Sequence, residues 1–324
     1  MMRHRKAIAA AVAAVAFLAA GWFVFGGWFA AGPLEKDRTL IVSTGDSLNA
    51  VAARLEKEGM IPSARAFSLR ARLFGSGSPI KAGEFLIPAR ASASRILSII
   101  QSDDVIRRLV MIPEGMPSIM VRERLMAQEH LTGDIPTPAE GSVLPDSYDF
   151  ERGESREAML RRMQAAMSTT LAAAWAKRGP NIAAKTPQEA LVLASIVEKE
   201  TGKPSERRMV AGLYSNRLKK GMLLQADPTI IYPFTQGKPL GRRIRQSEIK
   251  AVNGYNTYTM TGLPQGPITN PGKASIEAVL NPARTDALYM VADGTGGHQF
   301  STTLEQHNAA VQKWFAIRRA RGEM

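Results

Sequence analysis

Hydrophobic and polar positions fall into three textures along this chain. The first is a segment with no polarity to speak of. Positions 7–34 hold no charged residue and are rich in alanine, with Phe17, Leu18, Phe23, Val24, Phe25 and Phe29 supplying most of the apolar surface. A helix rises about 1.5 Å per residue, so about 20 residues cross a hydrocarbon core of roughly 30 Å. The segment is long enough to span. The apolar core of a cleaved signal peptide is shorter, about 7–15 residues. Trp22 and Trp28 lie toward the far end, where an aromatic belt would sit. Arg3, Arg5 and Lys6 precede the segment and should stay on the cytoplasmic side. The pattern therefore predicts a cytoplasmic tail at 1–6, a membrane anchor at 7–34, and an exported remainder.

The second texture, over 38–130, is that of small strand–turn–helix units. Leu40–Val42 reads as a strand and Gly45–Ser47 as a turn, with Asp46 or Ser47 able to cap the helix that follows. That helix carries Leu48, Val51, Ala52 and Leu55 at a period near 3.6, and Gly59 and Pro62 end it. A second helix is expected over Ala64–Phe74, a strand over Gly83–Ile87, and a helix capped by Ser92 or Ser94 with Ile96, Leu97 and Ile100 facing inward. The first unit has an echo. Gly45 is followed by Val51 and Leu55, and Gly115 by Val121 and Leu125, at the same spacings.

The third texture, over 139–324, alternates helices with long loops. Helices are expected over Met159–Trp175, from the Thr186–Glu189 capping box through Thr201, over Glu206–Lys220, and from Thr302 onward. Leu288–Val291 reads as a strand turning at Asp293–Gly297 into a hairpin. Asn253–Gly272 is rich in glycine and proline and longer than ordinary connections, which suits a groove wall.

Composition narrows the chemistry. The 324 residues contain no cysteine, which excludes disulfide scaffolds, thiolate metal sites and thiol nucleophiles. The net charge is +13, and the exported part stays basic once Arg3, Arg5 and Lys6 are set aside. Beyond a membrane, such charge favours anionic wall polymers and lipid headgroups over nucleic acid. His298, Glu305 and His307 lack the spacing of a metal site, and no phosphate-binding glycine loop occurs, so neither metal nor cofactor is expected. Gly45–Leu48 matches a lipolytic esterase motif, but the partner Asp-x-x-His is missing and a helix cap explains those residues.

Two carboxylates remain. Leu191–Val197 is an apolar helical run that ends at Glu198 and Glu200. Burial raises a carboxyl group's pKa, which a general acid at neutral pH requires. On a helix the two glutamates point about 200° apart. Glu198 lies over Ala194 and Ser195, which leave room for a ligand; Glu200 lies over Leu193, Ile196 and Val197, which favour packing. Either could instead pair with Lys199, Lys203 or Arg207.

At Leu193–Thr201 the sequence resembles the endolytic murein transglycosylase family, also called YceG-like or MltG. The resemblance continues in order through Glu140–Tyr148, Asn216–Leu218, Gly221–Thr229, Tyr255–Tyr258, Gly262–Gly272, Gly296–Ser301 and Glu305–Asn308. One departure is Ser142–Leu144, where the family carries bulkier aromatic residues. The resemblance implies an α+β fold: an N-terminal membrane helix, a LysM-like α/β subdomain at 38–130, and an α+β catalytic domain at 139–324 with long groove-lining loops. It implies a lytic enzyme that cuts the β-1,4 bond between N-acetylmuramic acid and N-acetylglucosamine inside glycan strands, leaving 1,6-anhydro ends. It places the family's catalytic glutamate on Glu198 and suggests Glu140, Ser195, Gln225, Asp227, Tyr255, Asn256, Asn270 and His298 as the substrate groove. The implied partners are peptidoglycan glycan strands, peptidoglycan synthases and the inner membrane, with the catalytic domain in the periplasm. Two alternatives remain open: a two-carboxylate muramidase using Glu140 or Asp227 beside Glu198, and a non-catalytic wall-binding scaffold.

Overall fold

The computed structural model describes residues 11–323 except 18, 20 and 22–24. Two compact units emerge, one of residues up to Arg108 together with Phe150–Gly153, the other of Leu109–Asp149 and Glu154 onward. The unit boundary at Arg108 places the second strand–turn–helix of the echo with the C-terminal half.

In the first unit, β1 (Arg38–Val42) is followed by α1 (Leu48–Lys57), α2 (Ala64–Phe74), β2 (Gly83–Ile87) and α3 (Ala93–Gln101). β1 and β2 pair antiparallel with Leu40 opposite Phe85. Each helix starts on a serine: the Oγ atoms of Ser47, Ser63 and Ser92 accept from the amides of Ala50, Ala66 and Arg95. Ser47 is thus the cap, while Asp46 holds the turn by accepting from the Ser43 amide and Arg54. The core gathers Leu40, Val51, Leu55, Phe67, Phe85, Ile96 and Ile100; of these, Val51, Leu55, Ile96 and Ile100 are the positions whose helical spacing pointed inward.

Among the described residues no helix is long and apolar enough to cross a membrane. Much of the expected anchor, including positions 7–10 and Trp22, lies outside the described residues. Its far end differs from expectation. Trp28 is 2% exposed, its ring 6.1 Å from that of Phe67, and the Gly32 amide donates to the Arg90 carbonyl. An indole that finds a matching apolar core buries more surface there than in a headgroup belt, so this end belongs to the folded unit.

The second unit opens on β3 (Arg107–Met111), whose first residues belong to the first, then α4 (Ser118–Met126) and β4 (Ser147–Glu151), which pairs with β3. The helices α5 (Arg156–Ala176), α6 (Pro187–Glu200), α7 (Arg207–Lys219), α8 (Asp227–Thr235), α9 (Gln246–Ile249) and α10 (Lys273–Leu280) follow. The hairpin β5 (Tyr289–Ala292) and β6 (His298–Ser301) and the terminal α11 (Leu304–Ala320) complete it. Gly45 and Gly115 both take left-handed φ, and the valines and leucines at the echoed spacings are all fully buried. The echo is therefore a repeated local geometry.

α6 is the centre of this unit. Every residue from Ala190 to Val197 is buried, with α5, α7, α8 and α10 packed around it. Thr186 caps it as expected, accepting from the Glu189 amide. The Glu189 carboxylate accepts from the Lys185 amide, one residue before the capping-box position. At α11 the cap is Thr303 with Gln306, also one residue from the expected pair. The 253–272 segment forms neither helix nor strand. It is held by side-chain amides, above all Asn256, whose Nδ2 donates to the carbonyls of Ile249 and Ala251.

Arg156 closes the end of α4. It is 9% exposed, and its guanidinium donates to the carbonyls of Leu125, Met126, Gln128 and Gly133. Arg156→Met strands these acceptors. We expect about 2–4 kcal/mol of lost stability, read as an earlier midpoint in denaturant unfolding; an unchanged midpoint contradicts this account.

Candidate active site

The last turn of α6 sends its two carboxylates to different surroundings. Glu200 faces α7 and the start of α8. Its Oε1 is buried and has no hydrogen-bond partner among the described residues. Burial pushes its carboxyl up to about 7 from an ordinary 4.5. The negative charge of Asp227 pushes in the same direction, while the Tyr214 hydroxyl and the Arg217 guanidinium partly offset both. Tyr214, 2% exposed, is itself pushed well above the usual phenol value by burial and by Glu200. The result is a carboxyl group that exchanges its proton near neutrality and has one oxygen unpartnered among the described residues.

A cavity of about 350 Å³ opens over this group, lined by Glu200, Tyr214, Arg217, Gln225, Asp227 and Tyr258 among others. Each wall has a local cause. Arg217 is fixed by donating to the carbonyls of Leu224 and Leu288 and to Gln225 Oε1. Gln225 adopts a left-handed φ of 53°, and its amide donates to the Thr257 carbonyl, which ties α8's leading loop to the 253–272 segment. Asp227 starts α8, where the helix dipole favours an anion. Its Oδ1 accepts from the Tyr258 hydroxyl at 2.6 Å. A second, more apolar cavity of about 450 Å³ shares Lys199 and Pro228 with the first and extends past Met116, Met120, Ile231 and Leu240. The two cavities meet at these shared residues in their walls.

Glu198 has a different setting. Its Oε2 accepts from the Gly272 amide at 2.9 Å, and its Oε1 lies 3.8 Å from the Arg207 guanidinium, which also faces Glu114. The side chain is 6% exposed. Two glycines wall it in. A Cβ at Gly115 would touch Glu198 Cγ at 3.4 Å, and one at Gly272 would fall 1.9 Å from a Glu114 oxygen. Both carboxylate oxygens already face partners, and the group ties α6 to the loop before α10.

Of the expected groove residues, the structure brings Gln225 and Asp227 to the Glu200 cavity. The rest lie elsewhere. Ser195 is fully buried, donating to the Val192 carbonyl and accepting from the Ile268 amide. Asn270 is fully buried, accepting from the Val143 amide and donating to the Met116 carbonyl and Ser118 Oγ. Asn256 is buried among the carbonyls already described. Glu140 accepts from the Ser118 amide at the start of α4, and burial raises its carboxyl despite that bond. Tyr255 packs on Tyr232 with ring centroids 4.7 Å apart. His298 bonds Glu206 through Nδ1 and its own amide. The cavity also holds Tyr214, Arg217 and Tyr258, which the sequence pattern does not single out. Tyr214 and Arg217 lie three apart on one face of α7, a spacing that points both at the same neighbour. No cluster of metal-ligating groups occurs among the described residues.

Residues 40–313 match the family model described as the YceG-like family. The chain is 27% identical over 320 residues to an endolytic murein transglycosylase of Bacillus subtilis strain 168, covering 88% of each. It is 27% identical over 323 residues to an endolytic murein transglycosylase of Streptococcus pneumoniae, covering 84% of this chain and 57% of that longer one. A crystal structure of a YceG-like protein from Listeria monocytogenes superposes with a TM-score of 0.53 at 26% identity, covering 85% of this chain and 98% of the other.

The raised Glu200 pKa sets a pH dependence of stability. Between about 4.5 and 7 the folded chain holds a proton that the unfolded chain has released, so stability falls as pH rises through that window. Glu200→Gln removes this loss. We expect its Tm to match the parent near pH 5 and exceed it by about 2–6 °C near pH 8. Parallel Tm profiles of the two proteins would show that Glu200 is not a buried acid.

Proposed function

The chain belongs to the YceG-like family, and on that premise we propose that it is an endolytic lytic transglycosylase of peptidoglycan whose acid and base is Glu200. The observation that carries the assignment is the buried, unpartnered Oε1 of a carboxyl raised to about 7. The resemblance in sequence pointed to Glu198; the geometry supports its neighbour, because Glu198 is already occupied by the Gly272 amide.

The reaction needs one proton carrier. The Glu200 carboxylic acid donates its proton to the glycosidic oxygen between N-acetylmuramic acid C1 and N-acetylglucosamine O4. The C1–O4 bond breaks, its electron pair leaves with O4, and an oxocarbenium-like centre develops at C1. The muramyl sugar's own O6 attacks C1, and its proton passes to the Glu200 carboxylate. The acid is restored and no water is consumed. Asp227, steadied by the Tyr258 hydroxyl, holds Glu200 in its protonated form and faces the developing positive charge. Gln225 and Lys199 offer polar contacts for sugar hydroxyl and acetamido groups. The apolar extension past Met116 and Ile231 gives the groove length on the far side, as cleavage inside a strand requires. Ser195, Asn256, Asn270 and Glu140 position the loops that form these walls.

The proximity of Asp227 to Glu200 favours one competitor, a two-carboxylate muramidase in which Asp227 serves as the partner. The products separate the two: hydrolysis adds a water, whereas the lytic reaction leaves an anhydro end. The same reading extends to location. With Trp28 packed in the first unit, positions 7–26 remain for an anchor, about 30 Å of helix, which would hold the catalytic unit outside the inner membrane where synthases deliver strands. The first unit then acts as a LysM-like holder of the glycan.

Purified glycan digested by the chain should yield anhydro-muramyl ends by mass spectrometry. Glu200→Gln should lower the rate by about 10²–10⁴-fold or more while the fold persists. Glu198→Gln should keep more than about a tenth of the rate, given the modest worth of one hydrogen bond, with a reduced Tm. The reverse ranking would return the catalytic role to Glu198. Asp227→Asn removes a charge that raises the Glu200 pKa, so the alkaline limb of the pH–rate profile should move to lower pH. A limb that stays in place would exclude Asp227 from that role.

A further inference from the structure

α7 presents a second lined face. Tyr214 and Arg217 look toward Glu200, whereas Arg208, Gly212, Ser215, Asn216 and Lys219, spaced by three and four, line a separate cavity of about 580 Å³. Its opposite wall is the 281–286 loop, which carries Arg284. That loop is tied down. The Ala283 amide donates to the Arg208 carbonyl, Arg208 Nε to the Asn281 carbonyl, and Asn216 Nδ2 to the Thr285 carbonyl. The approach at Gly212 is so close that a Cβ would lie 2.7 Å from the Ala283 oxygen. The cavity is therefore preformed.

Two independent observations point to a ligand. Ser215 is 2% exposed and its Oγ has no hydrogen-bond partner among the described residues. A buried hydroxyl left unpaired is costly, and a bound group that takes its hydrogen bond explains it. The second is charge. Arg208, Lys219 and Arg284 make no ion pair among the described residues, and the only acidic side chain in the lining is Asp286. The excess is positive, and the volume suits a short peptide.

We propose that this cavity docks the carboxylate-bearing peptide stems that hang from the glycan. The assignment of the ligand rests on the peptidoglycan reading above. The reach favours the longer stems: α7 with its side chains is about 10–12 Å across, so the way round it is roughly 16–19 Å, and a stem of five residues extends to about 17–18 Å. A strand lying in the groove on one face of α7 can pass its stem to the other. Arg284 and Arg208 then meet carboxylates, and Ser215 donates its hydroxyl proton to a carboxylate or amide oxygen.

The test uses the full chain in the Glu200→Gln background, so that binding is measured without cleavage. The probes are a free murein stem tetrapeptide and its ester-blocked analogue, followed by isothermal calorimetry. Arg284→Glu should weaken tetrapeptide binding by about tenfold or more, the scale of a charge-assisted hydrogen bond. Ser215→Ala, which strands no partner, should weaken it several-fold with no loss of Tm. Blocking the carboxylates should have an effect as large as Arg284→Glu. Unaltered affinity in both variants, equal binding of the ester, or equal displacement by inorganic phosphate at the same concentration would overturn the proposal. Cleavage of glycan by the parent chain is scored separately, so failure of the lytic reading shows as absent anhydro product and failure of this site as absent peptide binding.

Discussion

A helix buried on every side has no solvent face on which to place a charge. α6 is such a helix, with α5, α7, α8 and α10 around it. The carboxylates must therefore wait for its last turn, and even there each must be accommodated by what surrounds the core. One is satisfied by the Gly272 amide and faces Arg207. The other is left with an oxygen that no described residue hydrogen-bonds. The rest of the site depends on this asymmetry. The proton on Glu200 is held by burial and by Asp227, Asp227 is placed by the start of α8, and α8 is set by the stitched turn at Gln225.

Much of the frame could be read directly. Strands and helices of the first unit fall where period and capping serines put them, because each has a local signal and a single apolar face. The echoed glycines point to a shared turn, and their left-handed φ values explain why glycine recurs there. The elements that escaped notice lack such signals. α8 contains Pro233 and an almost wholly apolar run, and α10 is only eight residues long, with a polar stripe no longer than Lys273 and Glu277, so neither gives the extended 3.6-residue pattern that marks an amphipathic helix. β4 is stabilised by its pairing with β3, which a local pattern does not encode.

For the candidate site, the sequence marks a carboxylate that closes an apolar run, and the choice between its two glutamates depends on tertiary neighbours. Small residues beneath Glu198 suggested room for a ligand, and the room is taken by Gly115, Gly272 and Glu114. Large residues beneath Glu200 suggested packing, and they pack, which is how the carboxyl above them loses its water. Polar residues in irregular loops also divided in a way that sequence cannot settle. Asn256 and Asn270 bind backbone groups that the loops leave unpaired, a need created by the absence of helix or strand.

Gln225 has a consequence of a different kind. It is one of three non-glycine residues with left-handed φ among the described positions, and the other two, Arg90 and Gln236, lie away from the cavity. Such a conformation costs an ordinary residue roughly 1 kcal/mol and costs glycine almost nothing. A chain tuned only to relieve backbone strain would carry glycine at this position. The glutamine amide, aimed at Arg217 and the cavity, is what that exchange would remove. Thermal hardening of this enzyme by relieving backbone strain therefore meets its trade-off at this residue, while the same change at Arg90 or Gln236 leaves the cavity untouched.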